Sequence, residues 1–158
     1  MRRLPSALTA VIPALVATTI AVTACHDSTA PYGDLMRATA KAKDLWVEEG
    51  LTSYAFVASR SCECLREATG PVRIVVENSH LVSATMVATG AAVDTALWFD
   101  INALFTLIES ELNAQPSLLE VSFDPSWGYP TRVKYGAIEI DAGAVILVTE
   151  FTPAPNPG

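Results

Sequence analysis

The amino-acid sequence predicts an α+β fold in which two helices pack on one face of an antiparallel sheet, in the order α-β-β-β-α-β-β-β. Two segments, 35–49 and 101–112, carry apolar residues at the spacing of one helix face. Each segment is followed by three short runs that are rich in alternating or β-branched apolar residues and are separated by turn residues. A helix followed by a three-stranded meander, repeated once, is typical of a layer of helices on a sheet.

The first helix is predicted from Leu35 to about Glu49, with Asp34 as its N-cap and Gly50 as its stop. The residues on its apolar face are Leu35, Ala38, Ala42, Leu45 and Trp46. Three strands are then expected at 53–60, 71–77 and 81–88. Asn78-Ser79 is expected to form the tight turn between the second and the third strand.

The second half follows a loop-like stretch at 89–95. Asp100 is expected to cap the second helix, and Phe99 to pack against Leu104 as a hydrophobic staple. This helix carries the clearest apolar stripe of the chain, which consists of Ile101, Leu104, Phe105, Ile108 and Leu112. Pro116 ends the helix. Three further strands are expected at 118–123, 131–140 and 144–152, before a disordered proline-rich tail at 153–158.

The N-terminus has the features of a secretory signal peptide at residues 1–24. Arg2 and Arg3 are followed by an uncharged apolar stretch that reaches Ala24. Because Pro5 and Pro13 interrupt that stretch, a segment that is removed is favoured over a permanent transmembrane helix.

The signal ends in Val22-Thr23-Ala24-Cys25, which resembles the lipobox of bacterial lipoproteins. The resemblance implies that Cys25 is acylated and becomes the new N-terminus, which anchors the chain to a membrane. An ordinary secretory signal followed by a cysteine is the alternative. Residues 25–33 then form a polar lipidated tether, and 34–152 a single α+β domain. The residue after Cys25 is His26. Because Asp at this position would resemble an inner-membrane retention mark, His26 favours an anchor in the outer membrane, with the domain facing the periplasm.

The charge balance excludes some partners. The chain carries a net charge of −7, and because residues 1–24 contain two Arg and no acid, the processed chain would carry −9. A strongly acidic domain is not expected to bind nucleic acid or an anionic lipid surface through bulk electrostatics. Acidity favours solubility and leaves cationic partners open.

Cys62 and Cys64 are the two cysteines that remain once Cys25 is acylated. In an oxidising compartment the pair predicts a disulfide at the end of the first strand. Strand residues two apart lie about 6.6 Å apart on one face, and a modest bend at Glu63 brings them within bridging range. A redox pair and a metal site are the alternatives. The sequence offers no second cysteine cluster to complete the four ligands of zinc, and we expect neither a metal nor another cofactor.

The segment from Asp124 to Pro130, Asp-Pro-Ser-Trp-Gly-Tyr-Pro, has the composition of a turn. Large aromatic residues on a turn indicate a possible binding loop, whose residues would be Asp124, Trp127, Gly128 and Tyr129. In the alternative interpretation, Pro125 and Gly128 only shape the turn, and the aromatic side chains fold back onto the core.

These motifs together resemble a family of bacterial envelope lipoproteins known as a domain of unknown function. The matching motifs are a Trp-containing first helix, a Tyr-x-Phe strand, a Cys-x-Cys pair, a Leu-Phe helix and an Asp-Pro-x-x-Gly-Tyr-Pro turn. In this chain, and in the same order, the motifs are Leu45-Trp46, Ser53-Tyr54-Ala55-Phe56, Cys62-Glu63-Cys64, Leu104-Phe105 and 124–130. The resemblance spans roughly 44–151. The family tends to have Asp-Gly where this chain has Asn78-Ser79. The resemblance implies no activity.

The sequence therefore predicts an anchored, non-enzymatic module that binds an envelope protein, a peptide or a wall component through one sheet face or the aromatic turn. No Ser-His-Asp set and no glycine-rich phosphate loop can be assembled from it. The alternative is a thiol–disulfide or metal-handling envelope protein that uses Cys62 and Cys64.

Overall fold

The computed structural model describes residues 32–62, 68–136 and 143–154. Two helices and six strands are formed, in the predicted order: α1 (Gly33–Glu49), β1 (Tyr54–Ser61), β2 (Val72–Glu77), β3 (His80–Met86), α2 (Ile101–Ala114), β4 (Leu118–Phe123), β5 (Pro130–Gly136) and β6 (Ala144–Pro153). A single turn of 3₁₀-helix at Thr95–Leu97, which was not predicted, precedes α2. The predicted signal peptide, Cys25 and most of the tether lie outside the described residues.

All six strands belong to one antiparallel sheet with the spatial order β3-β2-β1-β6-β5-β4. Each predicted half supplies one three-stranded meander. The two meanders meet where β1 pairs with β6, so the first and the last strand of the chain lie side by side at the centre of the sheet.

One face of the sheet is covered by both helices, which confirms the predicted architecture. Alternate residues of β2, Val72, Ile74 and Val76, are fully buried on this face. The predicted stripe of α2 is buried over its whole length, and it joins side chains of α1 and of the strands in one core. Burial of such apolar side chains stabilises the fold by about 1.5–3 kcal/mol each.

The start of α1 differs from the prediction. The N-cap is Tyr32, which makes no capping bond through its side chain, and Asp34 lies in the first turn, where it pairs with Arg37. The Tyr32 hydroxyl donates to the carbonyl of Pro116 over 2.7 Å, so a tertiary hydrogen bond fixes the helix start. The buried face is Thr39, Ala42 and Trp46, while Ala38 is exposed.

The hairpin between β2 and β3 confirms the predicted tight turn. Asn78 and Ser79 have φ angles of 50° and 63°, and two left-handed residues are what a two-residue hairpin turn of type I′ requires. Strand β3 ends at Met86, two residues before its predicted end. Met86 N–H then donates to Ala91 O, and Val93 N–H to Ala84 O, so the segment after β3 returns along its outer edge.

The last strand also differs from the prediction at its end. Strand β5 is described to Gly136, and residues 137–142 lie outside the described residues. Strand β6 takes in Pro153, the first residue of the predicted tail, and Ala154 N–H donates to Ser53 O. These contacts move the domain boundary past 152, since both residues belong to the sheet or its margin. Residues 155–158 lie outside the described part of the chain.

Candidate functional site

Most aromatic residues of the sequence motifs meet in one place beneath α1, whereas Phe105 stacks on Phe123. They form an aromatic cluster that consists of Trp46, Tyr54, Phe56, Trp127, Tyr129 and Phe151. Phe151 is its hub, because its ring lies 4.5 Å from that of Tyr129 and 5.9 Å from those of Trp46 and Trp127. Aromatic pairs at these separations contribute about 0.5–1.5 kcal/mol beyond their burial. Phe151 is the member that the sequence motifs do not single out.

Two polar groups of the cluster hold the start of α2. Ile101 N–H donates to the Tyr54 hydroxyl over 3.2 Å, and Trp46 Nε1 donates to Asn102 Oδ1 over 3.0 Å. Asp100 caps the same helix as predicted, with its Oδ1 accepting from Ala103 N–H. Two of the free backbone donors at the helix start are thereby satisfied.

Burial raises the pKa of the Tyr54 phenol, and the nearby Asp100 carboxylate raises it further. The unfolded chain releases this proton near pH 10, whereas the folded chain retains it. The contribution of Tyr54 to stability is therefore complete below about pH 10 and is lost as the pH rises above it.

We expect the free energy of unfolding in urea to fall more steeply between about pH 8 and about pH 11 in the natural chain than in Tyr54→Phe. At the lower pH the variant should be less stable by about 1–3 kcal/mol, because Ile101 N–H loses its acceptor. Tyr135→Phe, at a half-buried tyrosine of β5, is the control and should keep the steep fall. Equal slopes for the natural chain and Tyr54→Phe would contradict the assignment.

The turn after β4 is built by Asp124, as its composition predicts. Asp124 Oδ1 accepts from Ser126 N–H at 2.9 Å and from Trp127 N–H at 2.8 Å. Its main chain adds bonds to Gly128 and Tyr129, so one residue closes the whole turn. Gly128 has a φ of 76°, in the left-handed region that favours glycine.

This turn is pressed against α1. A Cβ on Gly128 would lie 2.2 Å from the backbone oxygen of Ala42 and 3.1 Å from Leu45 Cβ. Tyr129 is buried and Trp127 is half-buried, so the aromatic side chains of the turn contribute to the core. Burial is the main reason that the pKa of the Tyr129 phenol is raised, and the Asp124 carboxylate adds to it. The residues that the turn exposes are Pro125 and Ser126.

Shallow grooves flank α1 on both sides. One, of about 260 Å³, lies between α1 and the turn and is lined by Ala38, Lys41, Ala42, Leu45, Phe123, Asp124, Pro125 and Gly128. The other, of about 310 Å³, lies between the two helices and is lined by Met36, Thr39, Ala40, Glu109, Leu112 and Asn113. Of the predicted binding residues, Asp124 and Gly128 reach a groove.

The opposite side of the sheet, which we call the open face, carries no helix in the described part of the chain. Its central strands present apolar side chains, which are Val57, Val75, Val145 and Leu147. Leu147 is 40 % exposed, whereas Val57 is only 5 % exposed. Arg73 and Glu150, from the strands on either side of β1, form an ion pair of 3.0 Å across that strand, and Arg73 is the cross-strand partner of Val57.

A second group of charges borders the open face on β4 and β5. Glu120 pairs with Arg132 at 3.0 Å and with Lys134 at 3.6 Å. The hydrogen bond from Arg132 is the main reason that the pKa of the Glu120 carboxyl is lowered, and Lys134 adds to it. Two cations thus share one carboxylate beside Leu147, which pairs with Arg132 in the register of β5 and β6. Neither ion-pair set was identified from the sequence, because cross-strand neighbours depend on register.

Of the Cys-x-Cys pair, the structure describes Cys62. Cys62 directly follows β1, as predicted, and it has an interaction partner in the structure. Cys64 lies outside the described residues, so the pairing of the two stays a prediction. Within the described ranges, no group of three or more His, Cys, Asp or Glu side chains is placed to hold a metal ion. Neither α1 nor α2 combines the length and the apolar character needed to cross a membrane.

Comparison with known proteins gives one positive finding. The model of a family described as a family of unknown function, DUF6174, matches residues 38–153, which is well over half of the chain. No curated protein and no solved structure matches the chain.

Proposed function

The chain belongs to the DUF6174 family, whose function is unknown, and we propose that it is a lipid-anchored bacterial envelope protein whose domain binds another envelope component without catalysing a reaction. In this proposal, residues 1–24 direct export and Cys25 carries the lipid. The domain faces the periplasm, from the outer membrane. The partner is a protein, a peptide or a wall component.

The open face supports the binding role most directly. The solvated face of an antiparallel sheet normally carries polar residues. Here Val75, Val145 and Leu147 stand on it, each with a polar or charged cross-strand neighbour. Leu147 is exposed beside Arg132, and interfaces are enriched in such apolar centres with charged rims. The aromatic turn supports binding less well, because Trp127 and Tyr129 pack on Phe151.

Photo-crosslinking in intact cells tests the surface. A photoreactive amino acid placed at Leu147 of the full chain is expected to give a discrete adduct with an envelope component. The same label at Val47, which is 65 % exposed on α1, is the matched control and should not give that adduct. Loss of the adduct on adding Val145→Asp, with an unchanged melting temperature, would complete the case. The same adducts from both positions would contradict a specific open-face interface.

The anchor is tested separately at Cys25. Cys25→Ser is expected to abolish incorporation of a fatty-acid analogue and to release the chain from membranes, because the thiol is the point of acylation. Cys62→Ser serves as the control and should remain labelled and membrane-bound. If Cys25→Ser stays membrane-bound and is still cut after Ala24, the lipoprotein proposal is wrong.

We also propose that Cys62 and Cys64 form a disulfide in the envelope. The position of Cys62 at the end of β1 supports this, since a strand end allows the bend that a bridge between residues two apart requires. Intact mass after thiol alkylation, with and without reductant, is expected to show no free thiol at either position before reduction. Reduction should cost less than about 3 kcal/mol, because the loop is very short. Two freely alkylated thiols, or stoichiometric zinc, would favour the redox or metal alternative.

A further inference from the structure

We propose that the free edge of β4 pairs with the same edge of a second copy of this chain, in antiparallel orientation and centred on Val121. The result would be a symmetric dimer with one continuous sheet of twelve strands. This inference concerns self-association, and its edge-pairing argument does not depend on the proposed anchor or on the open-face partner.

The two edge strands of the sheet, β3 and β4, differ in what pairs with their outer side. The last part of strand β3 is covered by the segment that follows it, since Val93 N–H donates to Ala84 O, Met86 N–H donates to Ala91 O, and Ala92 forms a bridge with Thr85. Within residues 32–62, 68–136 and 143–154, no strand or loop pairs with the outer side of β4. An edge strand offers unpaired N–H and C=O groups, and proteins usually block it with proline, bulges or cover.

Among the registers centred on residues 120–122, the sequence of β4 is self-complementary in one. Both copies keep their helices on the same side of a continuous sheet only if residues of the same face stand opposite each other. Centring the pair on Glu120 would place Glu120 opposite Glu120 of the second copy. Centring it on Ser122 would place Glu120 opposite Asp124, another acid.

Centring on Val121 avoids both conflicts. Glu120 then faces Ser122 of the second copy, and Leu119 faces Phe123, which continues the apolar face. Like charges directly opposite each other destabilise a sheet, whereas apolar cross-strand pairs stabilise it. The net charge of −7 opposes association in general. At this edge, however, two cations accompany Glu120, and screening at physiological salt limits repulsion beyond about 8 Å.

The position of Tyr32 makes this dimer compatible with two anchors. Its bond to Pro116 O holds the start of α1 beside the N-terminal end of β4, on the helix side of the sheet. The two-fold axis of an edge-to-edge antiparallel pair runs through the sheet, perpendicular to it, so both copies present their helices on one side. The two Tyr32 residues therefore lie on the same side of the dimer, which is compatible with two lipidated Cys25 residues in one membrane.

Cysteine crosslinking in the full chain tests the register. Residues directly opposite in an antiparallel pair have Cβ atoms about 4.5–5.5 Å apart, close to the range of a disulfide. Val121→Cys is therefore expected to give a reducible dimer under mild oxidation. The unsubstituted chain and Ser83→Cys, on the opposite edge strand β3, are expected to give several-fold less. A Val121→Cys yield no higher than that of Ser83→Cys would overturn the proposal.

Substitution of Ser122 by an acid or a base distinguishes an effect on pairing from an effect on folding. Ser122 stands opposite Arg132 in its own chain, so the carboxylate of Ser122→Glu would have a cation beside it in the folded monomer. In the dimer it would oppose Glu120 of the second copy, so we expect it to lower the Val121→Cys yield several-fold. Ser122→Lys should preserve the yield, although it lies beside Arg132 of its own chain. The reverse order of yields would overturn this register. Fatty-acid labelling of Cys25 is measured in the same cells, so failure of the anchor is distinguished from failure of the edge pair.

Discussion

Ile108→Asp is expected to abolish cooperative thermal unfolding of the domain. Ile108 is fully buried at the centre of the α2 stripe, where a carboxylate would lack water. Burial of an unpaired charge costs several kcal/mol, and a domain of this size has a stability of only about 5–15 kcal/mol. The measurement is calorimetry or circular dichroism on heating, in which the variant should show no sharp transition.

Glu109→Ala is the matched control at the next position of the same helix. Glu109 is about half exposed, and its carboxylate pairs with Lys43 of α1 at 2.6 Å. An exposed ion pair of this kind contributes about 0–1 kcal/mol, so the melting temperature should change little. Similar small effects from both substitutions would mean that the stripe does not face the core.

Gly128→Ala is expected to destabilise the domain by about 2–5 kcal/mol. The new methyl group would meet the backbone oxygen of Ala42, which cannot move without displacing α1. The φ of 76° adds the strain that an L-residue has in the left-handed region. Urea unfolding measures the cost, and the emission of Trp46 and Trp127 should report loosening of the contact between the turn and α1.

Gly50→Ala separates the two causes. Gly50 has a φ of 62°, but nothing lies within 4 Å of the position of its Cβ. Backbone strain alone should therefore cost about 1–2 kcal/mol. If the two glycine variants lower the free energy of unfolding by the same amount, Gly128 does not contact α1 as closely as the structure shows.

Local patterns were sufficient to predict most of the elements. The stripe of α2 is a run of strong apolar residues with a capping aspartate, so its face and its start follow from the sequence alone. The start of α1 was predicted less well, because the bond from Tyr32 to Pro116 joins residues 84 positions apart. The turn at Asn78-Ser79 was predicted correctly, since short polar residues tolerate the left-handed region.

The candidate surfaces were harder to predict than the fold. The sequence indicated that Trp127 and Tyr129 lie on a turn, but not that Phe151, some twenty residues later, provides the surface on which both rings pack. The open face depends on which strands are neighbours. Because the pairing of β1 with β6 is not encoded in any short window, the grouping of Val57 with Leu147 could not be expected from either strand alone.

The same central pairing has a consequence for the kinetics of folding. Ala58 and Val148 are partners although about 90 residues separate them in the chain, and contacts of such long range slow the folding of a domain. Until β6 has been synthesised, β1 has a partner on one side only, and the two meanders have no contact between strands. The central pairing of β1 with β6 is therefore the last part of the sheet to form. A chain exported from its N-terminus, as we propose here, would reach the membrane before its sheet could be completed, and would fold only after its final strand had crossed.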